Sequence, residues 1–113
     1  MPHAVIEYSR DLERNFDAAA LMLAVHQSLL DSGEFGEKDI KVRLYPCDHA
    51  LVAGAAQAFV HTTIYLLSGR NKAVKKAITL GLLEILAGLD FEAASISVDA
   101  RDLDREVYSK ITG

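Results

Sequence analysis

Two periods of apolar residue share this chain, one near two and one near 3.6, and the exchanges between them divide it into strands and helices. Residues Ala4–Tyr8, carrying Val5 and Ile6, predict a first strand. A helix follows, capped by Asn15 or Asp17 and running to about Ser32. Its stripe is Ala18, Met22 (beside Leu21), Val25 and Leu29, at i, i+4, i+7 and i+11. Gly33 supplies the stop. Asp39–Tyr45 predicts a second strand, with Ile40, Val42 and Leu44 on one face and Lys41, Arg43 and Tyr45 on the other. Pro46 has no amide hydrogen to offer, which argues against continuation as a central strand.

Small residues around Gly54 make Cys47–Ala56 a connection, and Ala58–Leu67 carries the longest strand signal. The chain turns at Ser68-Gly69, and Asn71 caps a second helix to about Leu89, striped by Val74, Ile78, Leu82 (with Ile85) and Leu89. Gly81 inside it costs about 1 kcal/mol against alanine, which points to a close approach by a neighbour. A last strand, Ala94–Val98, alternates with Ser95 and Ser97. The tail RDLDREVYSKITG reads as a helical turn or a packing arm.

The order is β-α-β twice over, without residue-level duplication. Each crossover predicts a parallel pair of strands. The expected fold is α/β in the two-layer α+β sense: a four-stranded mixed sheet with two helices on one face, forming one domain over residues 1–113. The other face is partly apolar and calls for a partner, most economically another subunit.

Composition narrows the function. The hydrophobic share is 50% of 113 residues and mean hydropathy is +0.14, high for so small a chain. That excludes disorder and suits burial between subunits. Twelve Lys+Arg against sixteen Asp+Glu give a net charge of -4, and no basic run exceeds Lys75-Lys76, so no nucleic-acid partner is expected. Cys47 is the only cysteine, which leaves no disulfide framework. Met1 is followed by no basic and apolar leader, and no apolar run approaches eighteen residues. A cytoplasmic protein without membrane contact is the expectation.

Among polar residues, His3, His26, His49 and His61 show no metal-ligand spacing, and His61 reads as a packed, hydrogen-bonded strand histidine. Gly69 lacks the frame of a phosphate loop, and Cys47 beside Pro46 reads as incidental. Arg70 stands between a strand end and a helix start, where backbone N–H groups attract anions. Lys41 and Arg43 share one strand face. Taken alone, each of these three is also compatible with an ordinary solvated cation. If they met in one pocket they would suit a carboxylate ligand. Pro2 is the most unusual candidate base, because removing Met1 would expose a secondary amine.

The segments MPHAVIEYS, IKVR, AFVH and SGRN, in this order and at these spacings, resemble the 5-carboxymethyl-2-hydroxymuconate isomerase family of the tautomerase superfamily. The similarity runs from Pro2 to about Val98. The loop Pro46–Gln57 is slightly shorter than expected, and the tail past Ala100 departs more. The resemblance implies a β-α-β-β-α-β tautomerase-like fold, a homotrimer with active sites near subunit boundaries, and no cofactor or metal. It implies that Pro2, as the amino-terminal proline, moves a proton between carbons of a small unsaturated 2-hydroxy or 2-keto acid, in breakdown of aromatic compounds. Arg70 matches the catalytic arginine after the central strand. Lys41 stands where the family usually has an arginine, and Arg43 matches the second arginine of that strand, both as substrate-binding groups. Lysine at 41 keeps the charge and loses the planar fork. A phenylpyruvate-like keto-enol tautomerase and a non-catalytic trimeric binding protein are the rival readings.

Overall fold

The computed structural model describes all 113 residues. Strands β1 (His3–Ser9), β2 (Lys41–Cys47), β3 (Phe59–Leu67) and β4 (Ser95–Leu103) alternate with helices α1 (Ala18–Asp31) and α2 (Lys72–Gly88) in the predicted order. The sheet runs β2-β1-β3-β4. β1 pairs parallel with β2, and β3 parallel with β4, while β1 and β3 meet antiparallel at the centre. Each β-α-β crossover therefore yields its parallel pair, as the connection length requires.

Local chemistry accounts for the helix boundaries. Asp17, rather than Asn15, caps α1: its Oδ1 accepts the Ala19 N–H at 3.0 Å. Asn15 instead closes a 3-10 turn over Arg10–Arg14. Asn71 Oδ1 accepts the Val74 N–H at 2.9 Å and starts α2. Gly33 follows α1 at φ +77°, a conformation an L side chain resists.

Strand ends differ from the sequence reading for tertiary reasons. β2 runs on through Pro46 to Cys47, as an edge strand, where a missing donor is tolerated. β4 extends past Val98 to Leu103, because its backbone ladder with β3 reaches Leu67 although its exposed side chains are polar.

One parity rule organises the sheet. Even-numbered residues of all four strands face the helices: Ala4, Ile6 and Tyr8, then Val60, Ile64 and Leu66, with Val42, Leu44, Ile96 and Val98 packed around them. Against them α1 buries Leu21, Val25 and Leu29, and α2 buries Ile78, Leu82 and Leu86. Each such side chain contributes roughly 1.5–3 kcal/mol by leaving water. The stripes thus sit slightly off the predicted ones. Ala18 is exposed, and Leu89, beyond the last helical turn, is 40% exposed, with Leu86 taking its place in the core. Gly81 marks no close approach, since a Cβ there would meet nothing within 4 Å.

The helix-free face carries the odd residues, among them His3, Glu7, Lys41, Arg43, His61, Ser97 and Asp99, beside Val5, Tyr45 and Tyr65. It is partly apolar, with charged residues between the apolar ones. Beyond β4 the tail does both things foreseen for it: a turn brings the Val107 and Tyr108 N–H groups onto the Asp104 carbonyl at 3.1 Å, and Tyr108 then packs back against His3. No helix is long and apolar enough to cross a membrane.

Candidate functional site

At one end of the sheet, β1 and β2 begin while β3 and β4 finish. The chain's amino terminus folds into this end. Met1 is only 9% exposed and lines a cavity of about 400 Å³ with Phe35, Arg70, Arg105, Tyr108 and Lys110. Pro2 is buried and locked by its carbonyl, which accepts the Lys41 N–H at 3.0 Å. Burial holds the terminal ammonium below its ordinary pKa of 8.0, with Lys41 and Lys110 adding repulsion and Asp39 opposing them. The charged form of this amine is disfavoured here.

Arg70 stands directly before the Asn71 cap of α2 and is held on several sides. Its Nε donates to Glu34 Oε1 at 2.9 Å and its Nη2 to the Glu34 carbonyl at 3.0 Å. Its guanidinium carbon lies 4.7 Å from the centre of the Phe35 ring. These contacts pre-orient the fork and leave it at the cavity wall. Lys41 points its Nζ to the Asp39 carbonyl at 2.9 Å, close to the terminal amine.

Arg43 goes elsewhere. It lies on the helix-free face and donates from Nη1 to His3 Nδ1 at 3.0 Å, in a groove with Val5, Tyr45 and Tyr65 beside the cavity. The fold therefore gathers Pro2, Arg70 and Lys41 at one end and sets Arg43 next door. His61 is the packed strand histidine expected of it, with Ser97 Oγ at 2.6 Å from Nδ1 and Thr63 Oγ1 at 3.2 Å from Nε2. No group of three His, Cys, Asp or Glu side chains is placed to hold a metal ion.

Four contributors were not visible in the sequence. Glu34, from the loop after α1, pairs with Arg70 across 36 positions. Arg105, Tyr108 and Lys110 come from the tail. Arg105 is anchored by Nε donation to the Ser68 carbonyl at 3.1 Å and has no carboxylate partner, whereas Lys110 meets Asp39 at 3.3 Å. Only the alternation of basic residues and a tyrosine in REVYSK hints at them, and such a pattern fits a solvated turn equally well.

Known proteins share this chain's fold. A sequence profile of the 5-carboxymethyl-2-hydroxymuconate isomerase family matches residues 2–101. A solved 5-carboxymethyl-2-hydroxymuconate delta-isomerase is 26% identical, with a TM-score of 0.74, covering 100% of this chain and 89% of its own. A 5-carboxymethyl-2-hydroxymuconate isomerase from Deinococcus radiodurans R1 is 23% identical at a TM-score of 0.81, covering 99% of this chain and 90% of its own. A fused 4-OT, solved as an asymmetric trimer, shares the fold at 15% identity and a TM-score of 0.73, with coverages of 96% and 91%. No curated protein matches the chain in sequence.

Proposed function

The chain belongs to the 5-carboxymethyl-2-hydroxymuconate isomerase family, and from that premise we propose that it is a cofactor-independent isomerase whose general base is the Pro2 nitrogen, freed by loss of Met1. The observation that carries this reading is a buried Pro2 at a chain end that opens on a cavity rich in cations, a setting that already holds the Met1 ammonium below its ordinary pKa. The same burial and cations would disfavour the charged form of a Pro2 amine. The neutral amine takes a proton from one carbon of an unsaturated 2-hydroxy or 2-keto acid, and the resulting ammonium returns it at another. Between those steps negative charge rests on the dienolate oxygen. Arg70, pre-oriented by Glu34 and Phe35, is the group to meet it.

Charge counting favours a substrate with more than one carboxylate. Lys41, Arg70, Arg105 and Lys110 face Glu34 and Asp39 around the amine, four cations against two acids. The surplus suits the dicarboxylic or tricarboxylic acids of the 5-carboxymethyl-2-hydroxymuconate type. A phenylpyruvate-like acid would use only part of it.

Self-association as a homotrimer belongs to the same proposal. β2 and β4 are open edges, and Leu23, Leu51 and Val107 are each more than 60% exposed, at 67%, 72% and 76%. Sedimentation at micromolar concentration should give roughly three times the 12.3 kDa chain mass. A clean monomer would remove the trimer and any pocket completed by a neighbour.

The catalytic reading is tested at the nitrogen. Intact mass should show loss of Met1, and the processed protein should shift a double bond without added metal or cofactor. Its kcat/KM should rise with pH as the Pro2 ammonium loses its proton and level off once the amine is neutral. Retaining Met1, or acylating the amine, should cost on the order of 10²-fold or more in a folded protein. Turnover equal to the free-proline form would refute Pro2 as the base. A large preference for a monocarboxylate would favour the keto-enol tautomerase, and binding without turnover would favour the non-catalytic protein.

A further inference from the structure

Tyr108 lies beyond the stretch matched to the family, and neither proton transfer at Pro2 nor the Arg70 contact calls for it. It lines both the Met1 cavity and the adjoining groove that holds His3 and Arg43. The hydrogen bonds between these three residues fix which way their protons point. A guanidinium has donors only, so Arg43 Nη1, 3.0 Å from His3 Nδ1, requires the lone pair there. The neutral imidazole then carries its proton on Nε2, which lies 3.2 Å from Tyr108 Oη. A phenol that accepts from His3 keeps its own O–H for another acceptor, and it makes no other side-chain or backbone hydrogen bond within the chain. Burial, Arg43 and Lys41 hold His3 below its ordinary pKa of 6.5, so the neutral form prevails near pH 7.

We propose that Tyr108 is a substrate-contacting residue of this cavity, donating its O–H to a carboxylate or keto oxygen of the bound acid, with His3 and Arg43 as the positioning residues that aim it. The proposal rests on the isomerase reading for its substrate class. It also reassigns Arg43, which acts through His3 and does not itself grip a carboxylate.

The test compares the Met1-free wild type with Tyr108→Phe, His3→Ala and the double variant. Two quantities are read: kcat/KM on the unsaturated 2-keto diacid, and the calorimetric Kd of 2-oxoadipate, a saturated probe that cannot undergo the double-bond shift. Tyr108→Phe removes one oxygen from a half-buried ring and should leave the circular dichroism unchanged. It should weaken both quantities about tenfold. His3→Ala should approach the same loss alone, yet add less than about twofold in the Tyr108→Phe background, because the two act as one chain. Values within about twofold of wild type for Tyr108→Phe would overturn the contact, and fully additive losses would overturn the positioning role. A wild type that binds 2-oxoadipate without turning over its unsaturated relative sinks the isomerase reading, while the Kd ratio still decides Tyr108. Failure of the wild type to do either overturns both.

Discussion

The two ends of the sheet hold cavities that differ in the opposite sense to their sizes. At the far end, where β1 and β2 finish, a cavity of about 690 Å³ is lined by Ser9, Arg10, Cys47, Asp48, His49 and Gln57. The Met1 end has about 400 Å³. Yet the larger cavity is electrostatically settled. Arg10 is paired with Asp48 and lies near Glu13, and Asp48 is held below the usual carboxylate range by that arginine. Tyr8, next to Ser9 in β1, is pushed up to about 12 by burial and by its bond to Glu13, so it stays a neutral phenol. At the Met1 end, Arg105 has no acid partner, the terminal amine is destabilised as a cation, and Tyr108 keeps a free O–H. Unspent donors beside an amine whose charged form is disfavoured single out the smaller cavity as the candidate site, although it has less volume.

The largest way to break this contrast is at Arg70. Replacing it by alanine should lower kcat/KM on the order of 10²-fold, with most of the loss in kcat if it steadies charge that develops during reaction. Unchanged kinetics in a folded variant would put Arg70 among the structural ion pairs and erase the asymmetry between the ends. The smallest expected effect sharpens the contrast from the other side. Asp48→Ala breaks an exposed pair at the far end and should leave kcat/KM within about twofold of wild type. Its Tm should move by a few degrees at most. A tenfold loss of activity would show that the larger cavity takes part after all.

How far the sequence could be read depends on the range of each interaction. Asn71 was legible as a cap because its partner is three residues away. For α1 two caps were eligible, and only the structure chose Asp17, by spending Asn15 on the preceding 3-10 turn. Pro2 and Arg70 were legible as catalytic candidates, and Lys41 and Arg43 as substrate-binding ones, through motif order. Only the structure shows Arg43 on the helix-free face, engaged with His3. The helix-free face was expected to be partly apolar, and it sets Val5, Tyr45 and Tyr65 against the charged cross-strand neighbours Arg43, Glu7 and Arg101.

By itself, then, the sequence determined the element order, the parallel crossovers and the even-residue core, because strand and helix periods are local and each wrong register would bury Lys41, Arg43 or Glu7. Tertiary structure alone decided which donors stay free. Glu34 neutralises Arg70 from 36 residues away, and Tyr108 reaches His3 from 105 residues away. Contacts of that range leave no periodic trace in the chain, and they set the charge, the tautomer and the open proton at the Met1 end of the sheet.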